Sequence, residues 1–99
     1  MPLPDGADED AAWQRLDKFL FHARFVKTRG LAGRLIAAGS VRINRQVTEK
    51  PHARLRQGDV LTLALPMGVR VVRVRAIGKR RGPSTEARLL YEEIAEQPP

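Results

Sequence analysis

Cysteine is absent from the 99-residue sequence. Neither a disulfide framework nor a thiolate metal site can form, which agrees with a cytoplasmic protein. No apolar run reaches the roughly 20 residues that a bilayer-spanning helix needs. The N-terminus is acidic and lacks an apolar segment, so neither a secretory signal nor a membrane partner is expected. Aromatics are few, three Phe, one Trp and one Tyr, which allows only a small core and few platforms for stacking bases. The two histidines, His22 and His52, have no obvious second ligand or nucleophile beside them, and His22 reads as a surface group. Both serines, Ser40 and Ser84, sit at element boundaries. Neither a phosphate loop of Walker spacing nor a dinucleotide fingerprint occurs. Asp17 and Asp59, the main internal acids, both have local structural explanations. The chain is therefore expected to bind rather than catalyse, with no cofactor and no metal.

What the sequence does have is positive charge, a formal +7 at a pI near 11, which points to a polyanionic partner. Its distribution says more than its total. Residues 1–14 hold four acids and no Lys or Arg, whereas residues 15–45 hold eight bases and one acid, Asp17. Residues 1–12 read as an acidic disordered tail, followed by one folded unit over 13–77 and a basic connector with a terminal helix over 78–99.

The spacing predicts a first helix over Trp13–Phe25. Leu16, Phe19, Leu20 and Ala23 fall on its core face, and Arg15, Lys18 and His22 share another. Trp13 would staple the first turn, and Asp17 would favour the helix dipole there. Thr28 reads as the N-cap of a second helix, with Leu31, Leu35 and Ala38 on its apolar face, Ala32 and Ile36 beside them, and Gly39 ending it. Lys27, Arg29 and Arg34 stand at its start or on its polar side. Cations gain nothing from a helix N-terminus, but they make sense if a phosphate docks on the exposed amides. Two helices linked this way could read DNA. The chain turns to strands instead, which makes DNA the less favoured partner.

Val41–Ile43 and Gln46–Val47 read as a hairpin turning at Asn44, which tolerates positive φ. Pro51 and His52 read as loop, Val60–Leu65 as a strand, and Val69–Ile77 as another. Gly78–Pro83 reads as a basic connector. Ser84 would cap a last helix to about Ala95, with Ala87, Leu90, Tyr91 and Ile94 as its apolar stripe. The fold class is α+β: two N-terminal helices packed on a small, mostly antiparallel sheet, plus a C-terminal helix.

At Arg15-Leu16-Asp17-Lys18, Phe25, Thr28-Arg29, Ala32, Leu35-Ile36, Gly39, Val41, Ile43-Asn44, Pro51 and Gly58-Asp59 the chain resembles the S-four RNA-binding domain, the αL fold. The likeness runs from Arg15 to about Leu65. It implies that the two helices and the following turn present a basic surface to structured RNA. By position, Arg15, Lys18, Lys27, Thr28, Arg29 and Arg34 would face the RNA, with Arg24, Arg42 and Asn44 at the rim. Many members have glycine after Asn44, where this chain has Arg45.

Arg15–Leu20, Ala23–Arg29 and Pro83–Glu93 further resemble the bacterial fifteen-kilodalton heat-shock protein family, whose members usually carry a longer basic C-terminal extension. That resemblance implies an rRNA partner in the large ribosomal subunit, with tRNA as a further contact, in the recycling of subunits stalled with a nascent chain on tRNA. The competing readings are an S-four accessory module of a pseudouridine synthase or a tRNA synthetase, and a small ribosome quality-control factor. A monomer is expected. RNA would be recognised by shape and phosphate, with Phe21 and Phe25 in the core rather than stacked on bases. Arg29→Ala and Arg34→Ala should then weaken binding and spare stability, and Leu35→Ala the reverse.

Overall fold

A computed structural model describes residues 13–77 and 82–94; the acidic tail and most of the basic connector lie outside the described residues. Strand β1 (Trp13–Arg15) leads into helix α1 (Leu16–His22), and α2 (Arg29–Ala37) follows. Then come β2 (Val41–Ile43), β3 (Gln46–Val47), β4 (Arg54–Arg56), β5 (Val60–Leu65) and β6 (Gly68–Val74). A helical turn α3 (Ser84–Ala87), a 3₁₀ turn (Arg88–Leu90) and β7 (Tyr91–Glu93) end the described chain. Five strands form one antiparallel sheet in the order β3-β2-β5-β6-β7, and β1 and β4 form a separate antiparallel ribbon. The α+β class is as expected.

Helix α1 buries Leu16, Phe19, Leu20 and Ala23, the four residues its periodicity assigned to the core. They pack with Ala32 and Ile36 of α2 and with Val41, Leu61, Leu63, Val72 and Val74 of the sheet. Leu55 of β4 closes the same core.

Trp13, Gln14 and Arg15 do not belong to the helix. They pair with Arg56, Leu55 and Arg54, and the helix opens only where the amides of Leu16 and Asp17 donate to the carbonyls of Ala53 and Pro51. Those long-range acceptors satisfy amides that a helix start leaves without partners. Trp13 is thus a strand residue and not a staple. His22 is buried rather than on the surface, because the inward side chain of β1 covers it: Gln14 Nε2 lies 3.3 Å from its Nδ1.

Both helices end in the same hydrogen-bonded motif. After α2, Gly39 donates to the carbonyl of Ile36 and Ser40 to that of Leu35, with Gly39 at φ 79°. After α1, Arg24 donates to Phe21 and Phe25 to Leu20, with Arg24 at φ 64°. This is the Schellman closure, whose left-handed residue is usually glycine. The arginine at the first position gains a compensating bond from its Nε to the carbonyl of Gly82, at 2.7 Å.

Only part of the apolar face read for α2 enters the core. Ala32 and Ile36 are fully buried, while Leu31 is 41% exposed. The core contact is rotated onto the 32–36 edge, leaving Leu31, Leu35 and Ala38 to line an open groove.

The C-terminal helix is one turn long. The residues expected to extend it form β7, on the open edge of β6. Two acids late in a helix oppose its dipole. In the strand each meets a cation, with Arg73 Nη1 3.6 Å from Glu92 and Arg70 Nη2 2.5 Å from Glu93. The Arg70–Glu93 hydrogen bond holds the guanidinium charged, raising its pKa further above the ordinary arginine value. Tyr91 packs on Phe25, ring centroids 4.7 Å apart, with Arg70 over the Phe25 ring.

Between β2 and β3 both turn residues have positive φ, Asn44 at 50° and Arg45 at 77°, the geometry of a two-residue type I′ hairpin. Arginine is strained there, so Arg45→Gly is expected to raise stability by about 0.5–1 kcal/mol. Thermal denaturation checks this; a lower melting temperature would show that the Arg45 side chain makes a stabilising contact.

Candidate nucleic-acid interface

All nine candidate residues lie on the surface, but the fold uses them differently. At the centre is Asp17, itself almost buried. Its carboxylate accepts from Arg15 at both oxygens, Nε to Oδ1 at 3.2 Å and Nη2 to Oδ2 at 3.0 Å. Arg29 Nη2 reaches Oδ2 at 3.4 Å, and the amide of Lys18 donates to Oδ1 at 2.7 Å. One carboxylate therefore holds an arginine from the start of α1 beside one from the start of α2. Ion pairs this exposed on the arginine side contribute little stability. Their effect is positional, since both guanidiniums are kept at the surface with donors to spare.

Thr28 caps α2 as expected, its Oγ1 accepting from the amide of Leu31 at 3.0 Å. The hydroxyl is therefore committed to the helix start. Lys27 and Arg34 flank the groove of about 500 Å³ that Phe25, Leu31, Leu35 and Leu65 line. Lys18 is exposed on α1. The five cations fall into two groups and one single residue: Arg15 and Arg29 at the Asp17 carboxylate, Lys27 and Arg34 at the groove, and Lys18 by itself on α1.

The rim residues have other duties. Asn44 is a clamp on the start of β5: its Oδ1 accepts from Val60 N at 2.9 Å, and its Nδ2 donates to Asp59 Oδ1 at 3.0 Å. Asp59 in turn accepts from the amide of Arg56. Arg24 is tied to Gly82, as described above. Arg42 alternates with the buried Val41 and so stands on the sheet face turned away from the core, beside Thr62 and Ala64. The structure thus gathers Arg15 and Arg29 directly, places Lys27 and Arg34 on one groove, and sets Arg42 apart.

Sequence reasoning missed the cations of β4. Arg54-Leu55-Arg56 alternates charged and apolar residues, a short strand signal, and its middle residue is fully buried. Among the described residues no group of three His, Asp or Glu could hold a metal ion, and no helix is long and apolar enough to cross a membrane.

A family model described as the S4 domain matches residues 14–61. Heat shock protein 15 of Escherichia coli strain K12 is 45% identical over 89 residues, covering 90% of this chain and 66% of that protein. The heat shock protein 15 homolog of Aeromonas salmonicida is 40% identical over 91 residues, covering 92% of this chain and 67% of its own length. The chain thus spans just under two thirds of the length of the Escherichia coli relative. Among solved structures, the one described as trimeric heat shock protein 15 of Vibrio cholerae matches with a TM-score of 0.79 at 36% identity, covering 84% of this chain and 83% of that one.

Proposed function

The chain belongs to the heat shock protein 15 family and carries the S4 RNA-binding domain, and from that premise we propose that it binds rRNA of the large ribosomal subunit in the cytoplasm, in the recycling of subunits stalled with a nascent chain on tRNA. The observation that carries the RNA reading is the Asp17 carboxylate gathering Arg15 and Arg29 from two helices onto one face. Lys18, Lys27 and Arg34 are further exposed cations on and beside the same two helices. Helical RNA hides its base edges in a deep, narrow groove and is recognised through its phosphates and shape. Cations on rigid helices at fixed separations suit that task. The work proposed is binding, with no chemical step.

A trimer like that described for the Vibrio cholerae protein would set three such faces on one particle. The chain as a monomer presents one.

Sucrose-gradient sedimentation with purified subunits tests the ribosomal reading. The chain is expected to migrate with large subunits at low salt and to leave them as salt is raised. Its remaining at the top of the gradient, or migrating equally with small subunits, would contradict it.

A further inference from the structure

The ribbon of β1 and β4 carries a surface that the helix pair does not account for. Its register sets Trp13 opposite Arg56 and Arg15 opposite Arg54. Directly opposed residues share a face, and the alternate residues Gln14 and Leu55 are the buried ones. The outer face therefore bears one indole and three guanidiniums. Like charges directly across a strand pair are destabilising, and here Arg54 stands opposite Arg15. Arg15 is engaged by Asp17. No carboxylate among the described residues pairs with Arg54, whose guanidinium carbon instead lies 4.5 Å from the centroid of the half-buried Trp13 ring. Arg15 belongs to both surfaces, and through Asp17 the ribbon is continuous with Arg29 of α2.

We propose that this ribbon is a second RNA subsite, which takes an unpaired nucleotide flanking the helical RNA held by α1 and α2. The base stacks on the Trp13–Arg54 platform, and the adjoining phosphates meet Arg15 and Arg54. Unpaired bases expose a π-face that both an indole and a guanidinium plane accept. Arg54 already lies against the indole, so part of the stack is organised before RNA arrives. In a chain with few aromatics, this site supplies what phosphate contacts lack, a preference for a junction between duplex and single strand. The proposal rests on the RNA-binding reading and deepens it.

Trp13 is the sole tryptophan, so its emission reports on the subsite directly. The full chain is titrated with a blunt RNA hairpin and with the same hairpin carrying a short unpaired overhang. The overhang hairpin is expected to bind about tenfold more tightly and to quench the emission, whereas the blunt hairpin binds without quenching. Trp13→Leu and, separately, Arg54→Lys should reduce overhang affinity to that of the blunt hairpin and leave blunt binding within about twofold. Arg54→Lys keeps the charge and the indole and loses only the planar group, so the test stands even if Trp13→Leu fails to fold. Equal affinity for the two hairpins with unmoved emission would overturn the subsite and leave the helix-pair reading intact. Binding to neither hairpin would overturn both.

Discussion

Phe19→Ala is expected to remove about 3–5 kcal/mol of stability, a cost set by lost transfer energy plus the cavity left behind. The ring is completely buried in the core cluster that the two helices, β4 and the sheet share. Against a total of roughly 5–15 kcal/mol for a domain of this kind, the loss would bring the melting temperature down by roughly 15–30 °C. Leu35→Ala makes the comparison. Its position on the second helix suggests a core residue, but Leu35 only flanks the core and lines the open groove. It should therefore cost well under half as much as Phe19→Ala. Equal losses in calorimetry would mean that the groove is closed in solution.

The largest expected effect on binding comes from Lys27→Gln combined with Arg34→Gln. Each cation–phosphate contact contributes about 0.7–0.9 to the slope of log affinity against log salt. At about 0.1 M salt each contact is therefore worth roughly five- to eightfold, and losing two should cost roughly thirtyfold in RNA affinity. The melting temperature should move little, because both side chains are exposed and no carboxylate among the described residues pairs with them. Arg15 and Arg29 are the wrong pair for this purpose. Removing both would strip the nearly buried Asp17 of its two guanidinium partners and mix a folding penalty into the result. A thirtyfold loss accompanied by unfolding would show that Lys27 and Arg34 serve the fold.

Much of the fold is legible in the sequence wherever one local rule decides. The period of Leu16, Phe19, Leu20 and Ala23 gives the core face of the first helix. Thr28 and Gly39 mark the ends of the second, and Asn44 marks the hairpin. What escapes is pairing at long range. Trp13–Arg15 continues the helical spacing without a break, and nothing local reveals that Arg54–Arg56, some forty residues on, will claim it as a strand. At the C-terminus the stripe from Ala87 to Ile94 has helical period. The open edge of β6 and the two arginines facing Glu92 and Glu93 decide for a strand instead.

The site follows the same division. Exposure of the nine candidate side chains was readable from polarity alone. That Asp17 gathers two of the arginines, and that the Asn44 side chain is spent on Val60 and Asp59, depends on contacts between separate elements. Where a glycine usually closes a helix, the first helix has Arg24 at φ 64°, and its Nε donates to the carbonyl of the distant Gly82.

The central claim is that several cations act together on an RNA backbone. A filter-binding titration of the full chain against a structured RNA, repeated across salt concentrations, tests it most directly. With the five cations of the helix pair engaged, log affinity should fall with log salt at a slope of roughly −3.5 to −4.5, and the Lys27→Gln/Arg34→Gln chain should lose roughly 1.4–1.8 units of that slope. A slope near −1 for the unaltered chain would contradict the multi-cation surface.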